Sequence, residues 1–98
     1  MDTDNLTVEH DEAKRQFFSL LDSQKALVDY TREGEQIVFT HTEVPPEFEG
    51  KGVGSKLAKT ALDYARANEL EVVPLCPFFS TYIRRHKEYQ DLVAAEGN

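Results

Sequence analysis

The sequence predicts an α+β fold whose sheet starts as an antiparallel meander and ends in a parallel pair. Residues 5–44 fall into short runs of alternating apolar and polar side chains, separated by turns of a few residues. A helical period replaces this alternation after a glycine-rich stretch, and a short apolar run follows the helix. A strand, a helix and another strand imply a right-handed crossover, so the last two strands should lie parallel.

Four strands are predicted before the first helix. They are rich in β-branched and aromatic residues, and connections this short join antiparallel neighbours. Asp22 to Gln24 forms one tight connection, and Glu33 with Gly34 forms the next, where glycine supplies a positive φ. The four predicted strands are residues 5–10, 14–22, 25–33 and 36–44.

The second half of the chain is predicted to add two helices and one strand. Pro45 and Pro46 end the fourth strand, because proline cannot donate to a sheet ladder. The predicted elements are a helix from Gly54 to about Asn68, a strand over residues 70–77, a second helix over 78–93 and a frayed tail over 94–98. The 98 residues are therefore expected to form a single domain, 1–98, in the order β-β-β-β-α-β-α.

The composition disfavours several classes of function. The chain carries 18 acidic and 11 basic residues, and its net charge of -7 would repel nucleic-acid phosphates. No apolar run approaches the roughly 20 residues of a membrane span, and the polar N-terminus is unlike a secretory signal. Cys76 is the single cysteine, which fits a reducing cytoplasm. His10 and His86 have no companions at metal-ligand spacing, so no metal is expected.

Three glycines at alternate positions, Gly50, Gly52 and Gly54, open the predicted first helix. Such glycines let a ligand approach the backbone, and a helix N-terminus favours anions. Lys51 and Lys56 add local positive charge. A Walker loop is disfavoured because lysine does not directly follow the last glycine, and a dinucleotide fingerprint is disfavoured because prolines and acids precede the glycines. The stretch is therefore interpreted as a diphosphate site; the alternative is a turn that only starts a helix.

The stretch EFEGKGVGSKL resembles the acyl-CoA pyrophosphate loop of GCN5-related N-acetyltransferases, whose usual form is Arg/Gln-x-x-Gly-x-Gly/Ala. Gly52 and Gly54 match its two small positions, and Glu49 stands where larger members have Arg or Gln. Residues 40–93 resemble a minimal branch of this family, the YjdJ-type or Gtlf3b-like proteins, in which EGxGxGxxL is followed by CP(F/Y) and (K/R)HxEYxDL. Lys87 stands where that branch usually has proline.

The resemblance implies a binding site for acetyl-CoA or coenzyme A on a GNAT-like sheet. In this fold two parallel strands splay apart, the pantetheine arm lies in the opening, and the pyrophosphate lies on the glycine-rich loop. Arg84, Arg85 and Lys87 form a basic cluster on the predicted second helix, from which Arg84 or Arg85 would reach the CoA phosphates; a solvated helix face is the alternative, favoured for at least one of the three. The cofactor-binding residues implied in this way are Thr42, Glu43, Val44, Glu49, Gly50, Lys51, Gly52, Val53, Gly54, Ser55 and Arg84.

Cys76 and His41 are the candidate catalytic residues. Cys76 lies near where the resemblance implies the thioester, so it would accept the acetyl group transiently or protonate the departing CoA thiolate. The alternative is a buried structural thiol. Alternation places His41 on the strand face of Phe39 and Glu43, where it would act as a general base toward an amine. The alternative is a half-buried histidine of the sheet.

The expected function is transfer of an acetyl group from acetyl-CoA to an exposed amine of a protein, a peptide or a small molecule. The phenols of Tyr82 and Tyr89 are further candidates for protonating the CoA thiolate, and packing is the alternative role for both. A second hypothesis is a non-catalytic module or sensor that binds CoA or acyl-CoA. The expected protein is cytoplasmic, binds neither nucleic acid nor membrane, and is a monomer or a weak dimer.

Overall fold

The protein folds into a mixed sheet of five strands with two α-helices on one of its faces. The computed structural model describes residues 7–21, 23–48 and 52–93. The elements are β1 (Glu9–Asp11), β2 (Gln16–Leu21), β3 (Gln24–Glu33), β4 (Gln36–Glu43), α1 (Val53–Ala67), β5 (Glu71–Pro74) and α2 (Pro77–Arg85), with 3₁₀ turns at Pro46–Phe48 and Lys87–Leu92. The strands are antiparallel from β1 to β4, and β4 and β5 are parallel. The predicted fold class is confirmed.

The helix-bearing face of the sheet is buried as the alternation predicts. Phe17 and Ser19 of β2 are buried, and so are Ala26, Val28 and Tyr30 of β3. Successive side chains of a strand point to opposite faces, so these residues all lie against the helices. The predicted first strand is displaced: β1 covers only residues 9–11, and the start of the predicted segment lies outside the described residues.

The first helix begins and ends close to the predicted positions. Its buried residues recur every three or four positions, which is the apolar stripe of a helix on a core. They are Val53, Leu57, Ala58, Ala61, Leu62 and Ala65. The helix ends at Asn68, whose backbone N–H donates to the carbonyl of Tyr64 at 3.1 Å. Glu69 then adopts a left-handed φ of 57°, and the chain turns back into β5.

The second helix is shorter than the predicted segment of residues 78–93. It ends at Arg85, and His86 takes an extended conformation with φ -127° and ψ 92°. The side-chain amide of Gln90 donates to the carbonyls of Ile83 and Arg84, both at 3.3 Å. The last carbonyls of the helix are thus satisfied by a side chain from the following 3₁₀ turn. The predicted strand before the helix is also shorter, because Pro77 occupies the first position of α2.

A partly buried imidazole joins the first strand to the core. His10 stacks on Phe17 with ring centroids 4.0 Å apart, and its Nε2 lies 2.6 Å from the hydroxyl of Tyr30. Burial lowers the pKa of His10, and this effect exceeds the opposing influence of the carboxylates of Glu12 and Asp11. Protonation of His10 is therefore less favourable in the native protein than in the unfolded chain.

The lowered pKa of His10 predicts a loss of stability in acid. Stability is fully present above the ordinary histidine value of 6.5 and falls as the pH drops through it toward the lowered folded pKa. His10→Phe keeps a ring on Phe17 and removes the titration. We expect its urea midpoint to vary less than that of the wild type between about pH 7.5 and about pH 5. Tyr30→Phe keeps the imidazole, so its urea midpoint should depend on pH as that of the wild type does. If the midpoints of His10→Phe and the wild type change equally with pH, this account is contradicted.

Candidate functional site

The parallel ladder between β4 and β5 opens before β4 ends. Its pairs run from Gln36 opposite Glu71 to Phe39 opposite Pro74. One more bond continues it, from the backbone N–H of Cys76 to the carbonyl of Phe39 at 3.0 Å. Beyond that point β4 pairs only with β3 among the described residues, because the chain after β5 turns into α2. We call this opening, bordered by residues 40–44 and 75–77, the strand gap.

An extra residue in β4 decides which side chains face the strand gap. Tyr30 lies opposite Phe39 and Asp29 lies opposite His41, so Thr40 has no partner of its own and forms a β-bulge. One additional residue reverses the faces of all that follow. The prediction that His41 shares a strand face with Phe39 is therefore wrong, and the side chain of His41 is 57% exposed.

Thr42 lies on the helix-bearing face of the sheet, which strict alternation from Phe39 assigns to His41. It lies opposite Val28, which is fully buried, so the Thr42 side chain is on the helix-bearing face. The backbone N–H of Tyr30 donates to the carbonyl of Arg15, so the main chain of Tyr30 faces β2. Main-chain groups alternate in direction along a strand, so the N–H and C=O of Val28 also point toward β2. The N–H and C=O of Thr42 consequently point away from β3, toward the strand gap.

Cys76 and Thr42 meet across the strand gap. The Cys76 thiol donates to the Thr42 hydroxyl at a Sγ–Oγ1 distance of 3.1 Å, and Cys76 is 6% exposed. Its carbonyl accepts the backbone N–H groups of Phe79 and Ser80 at 3.1 and 3.2 Å. Cys76 thus caps α2 and places its sulfur between two strands. The structure brings Cys76 to the gap and places His41 on the opposite face of β4.

The glycine-rich stretch reaches α1 through two glycines with different geometries. Gly52 precedes the helix with φ 72°, a left-handed conformation that glycine adopts without strain. At Gly54 an added Cβ would lie 3.2 Å from Cζ of Phe78 and 3.9 Å from Cγ2 of Val44. Gly54 therefore allows the ring of Phe78, on α2, to lie against the start of α1. The remaining loop residues of the predicted pyrophosphate site, Glu49, Gly50 and Lys51, lie outside the described residues.

A cavity of about 170 Å³ lies between the first turn of α1 and the outer part of α2. It is lined by Ser55, Phe78, Thr81, Tyr82, Arg85 and His86. The rings of Tyr82 and His86 stack with centroids 3.9 Å apart. Arg85 lines this cavity, whereas Arg84 is exposed and donates to the Thr81 hydroxyl at 3.5 Å. Phe78, Tyr82 and His86 recur every fourth residue, a helical spacing that would have identified this wall from sequence.

Residues 16–92 match the family model described as GCN5-related N-acetyl-transferase. The chain belongs to this family. Protein NATD1 of Gallus gallus is 34% identical to it over 84 residues, which cover 83% of this chain and 76% of that protein. Protein NATD1 of Danio rerio is 31% identical over 93 residues, which cover 90% and 84%. The solution structure of a GCN5-like protein from Staphylococcus aureus matches with a TM-score of 0.76 at 28% identity, covering 96% of this chain and 93% of that one.

In this member of the GCN5-related N-acetyl-transferase family, several of the predicted site residues fall into two groups. Thr42 and Cys76 are in contact at the strand gap, and Val44 lies close to Gly54 at the start of α1. His41 and Glu43 lie together on the outer face of the sheet, with His41 Nε2 3.5 Å from Glu43 Oε1. The residues on the gap side therefore come from three separate parts of the chain: the end of β4, the start of α1 and the link between β5 and α2.

The two candidate phenols lie in different surroundings. Tyr82 lines the cavity between the helices, and burial raises its pKa, so it is protonated at neutral pH. The hydroxyl of Tyr89 donates to Asp63 on α1 at 2.8 Å, and burial raises its pKa as well. Tyr89 therefore fastens the 3₁₀ turn to α1, and only Tyr82 borders a cavity near the helix start.

The described part of the chain contains neither a metal-binding cluster nor a membrane-spanning helix. Within residues 7–21, 23–48 and 52–93, no group of three His, Cys, Asp or Glu side chains is close enough to hold a metal ion. In the same ranges no helix is long and apolar enough to cross a membrane.

Proposed function

We propose that the chain transfers an acetyl group from acetyl-CoA to an exposed amine of a protein, a peptide or a small molecule. The observation that carries this proposal is the open strand gap. There the backbone groups of Thr42 face a space that no strand in the described part of the chain fills, and the Cys76 thiol borders the same space. An amide-bearing pantetheine arm would accept and donate the hydrogen bonds that a neighbouring strand would otherwise make.

Binding of the diphosphate is proposed at the start of α1. The first N–H groups of a helix have no partner within it, and they point outward along the positive end of the helix dipole. Here these are the amides of Val53, Gly54 and Ser55, preceded by the loop residues 49–52. The cavity beside Ser55 adds Arg85 and the stacked rings of Tyr82 and His86, which would suit the charged and aromatic parts of a nucleotide.

The chemistry proposed at the strand gap is nucleophilic acyl transfer. The amine nitrogen attacks the thioester carbonyl, a C–N bond forms, and the C–S bond breaks with its electron pair going to sulfur. In a direct route, the Cys76 thiol gives its proton to the departing sulfur and recovers one from the amine through solvent. In a two-step route, Cys76 first takes the acetyl group and releases CoA, and the amine then removes it and restores the thiol.

A non-catalytic module that binds CoA or acyl-CoA is the second proposal. It is supported by the position of His41, the candidate base, on the outer face of β4. Glu43 accompanies His41 there, with its Oε1 3.5 Å from the Nε2 of His41. Such a protein would hold the thioester without activating an amine.

Ligand binding and acetyl transfer are tested together on the purified chain. Coenzyme A and acetyl-CoA should raise the thermal midpoint in a concentration-dependent way, because both bind the native state. With acetyl-CoA and a panel of amines and lysine peptides, free thiol should appear only when an amine is present. Binding without amine-dependent thiol release would favour the module, and no thermal shift at saturating ligand would contradict both proposals.

Gly52→Val tests the loop, with Gly34→Val as a matched control. Both glycines have a positive φ, 72° and 61°, so each valine is expected to cost about 1–3 kcal/mol of stability. Gly34 lies in the turn between β3 and β4, with open space around an added Cβ. Only Gly52→Val should weaken CoA binding, by more than about tenfold in calorimetry. Equal losses of affinity in the two variants would contradict a role for the loop.

We also propose a cytoplasmic location and membership of the minimal, YjdJ-type branch of the family. The location is supported by the single free cysteine, which is buried, and the absence of any disulfide that it could form within the chain. The branch is supported by the order of EGKGVGSKL, CPF and HKEYQDL along the sequence.

A further inference from the structure

A second cavity lies at the end of the sheet opposite the strand gap. It has a volume of about 330 Å³ and is lined by Glu12, Arg15, Tyr30, Arg32 and Tyr64. We call it the hairpin pocket, because two of its residues belong to the turn between β1 and β2. That turn lies beside the end of β3 and the start of β4, whereas the strand gap lies at the end of β4.

Two arginines of the hairpin pocket lack acidic partners. The guanidinium of Arg32 donates from Nη1 to the hydroxyl of Tyr64 at 3.0 Å, and its buried Nε has no hydrogen-bond partner within the described residues. The guanidinium of Arg15 makes no ion pair or hydrogen bond in the same part of the chain.

The one carboxylate of the pocket is bound to a phenol. Glu12 accepts a hydrogen bond from the Tyr64 hydroxyl at 3.3 Å, so Tyr64 separates this carboxylate from Arg32. The hydroxyl of Tyr30 is held by His10 at 2.6 Å. Two guanidiniums and one carboxylate leave a local charge of about +1 in a protein whose net charge is -7.

The backbone fixes the base of the Arg15 side chain at the pocket. Arg15 has a left-handed φ of 57°, its N–H donates to the carbonyl of Glu12 at 3.2 Å, and its carbonyl accepts the N–H of Tyr30 at 3.0 Å. A residue held by hydrogen bonds on both sides keeps its side chain on one wall. The pocket is thus built from a turn, a strand and a helix, which fix its position in the fold.

We propose that the hairpin pocket binds a small oxyanion, a carboxylate or a phosphate, between Arg15 and Arg32. Guanidinium groups present paired N–H donors that match the oxygens of both anions, and the guanidiniums of Arg15 and Arg32 both line the pocket. A volume of about 330 Å³ lies at the small end of ligand pockets, which fits a small metabolite. Tyr64 follows Ser55 by nine residues, so the pocket is about 13 Å along α1 from the proposed CoA loop.

The test is an NMR titration of the full chain without CoA, using inorganic phosphate in one arm and acetate in another. Sodium chloride at matched ionic strength is the third arm. We expect saturable shifts of the Arg32 Nε–H signal and of the Arg15 amide in at least one oxyanion arm. Arg15→Gln should raise the dissociation constant at least about tenfold. Lys14→Gln removes the same charge from the same turn but does not line the pocket, and it should leave the constant within about twofold.

Each outcome decides the proposal. Saturation with phosphate alone, with acetate alone or with both supports the pocket and identifies the anion. Shifts that chloride reproduces, an equal loss in Lys14→Gln, or no shift in either arm would overturn it. A variant that unfolds is recognised from its amide spectrum. If Arg15→Gln unfolds, Arg15→Lys replaces it. We expect Arg15→Lys to bind the anion more weakly than the wild type, because an ammonium group cannot form the paired hydrogen bonds of a guanidinium. The result is independent of acetyl transfer, since no step uses CoA.

Discussion

Replacing Phe79 by alanine is expected to lower the free energy of unfolding by about 3–5 kcal/mol. Phe79 is fully buried, and its ring stacks on that of Phe39 with centroids 4.2 Å apart and planes 10° from parallel. This stack joins α2 to the centre of the sheet, so its removal costs both the transfer of the ring and the cavity left behind. Domains of this size have roughly 5–15 kcal/mol of stability in total, so the loss is a large part of it.

Urea unfolding followed by far-UV circular dichroism measures this loss. Leu20→Ala is the matched control, because Leu20 is a large apolar residue that is 57% exposed on the outer face of the sheet. Its effect should stay within about 0.5 kcal/mol. Phe39→Ala should cost about as much as Phe79→Ala, and the double variant less than the sum, because the two rings contact each other. A loss below about 1 kcal/mol in Phe79→Ala would contradict the packing described for α2.

Replacing Cys76 by alanine is expected to lower the turnover number for acetyl transfer by at least about 100-fold. The proposal gives the thiol a proton or an acetyl group to transfer, and alanine can do neither. The hydrogen bonds of Cys76 with Phe39, Phe79 and Ser80 at the border of the strand gap use its backbone, so they survive the substitution. Affinity for CoA should therefore stay within about threefold of the wild type, and the loss should appear in turnover.

Two further measurements separate the roles of the thiol. Thr42→Val removes the hydroxyl that Cys76 contacts at 3.1 Å but keeps the sulfur, so turnover should fall by less than about tenfold. Intact mass spectrometry of wild-type protein quenched during turnover should reveal an acetyl adduct on Cys76 if the two-step route operates. Unchanged turnover in Cys76→Ala would show that the thiol is structural and that the acetyl group passes directly to the amine.

The elements with a strong period were predicted from sequence, and those set by distant contacts were not. α1 was predicted nearly to its ends because its apolar stripe is regular and its start lies at a glycine. α2 was predicted too long, because its end depends on the side chain of Gln90 folding back onto the carbonyls of Ile83 and Arg84. No local propensity reveals such a contact before the fold is known.

The candidate site shows the same division. Cys76 and the glycines were identified from a motif, which is contiguous in sequence and therefore visible. Alternation failed at Thr40, where a bulge inserts one residue into a strand whose composition looks regular. The hairpin pocket was missed entirely, since Arg15, Arg32 and Tyr64 come from three elements and share no spacing.

Because of the bulge at Thr40, the face that a residue takes at the end of β4 does not follow from its count along the chain. Deleting Thr40 would restore a regular ladder and leave His41 outward and Thr42 inward, opposite Asp29 and Val28 as they are now. A relative that lacks one residue at this position therefore presents the same side-chain faces at the strand gap. Residues of the family should accordingly be compared by their partners on β3 and not by their distance in sequence from Phe39.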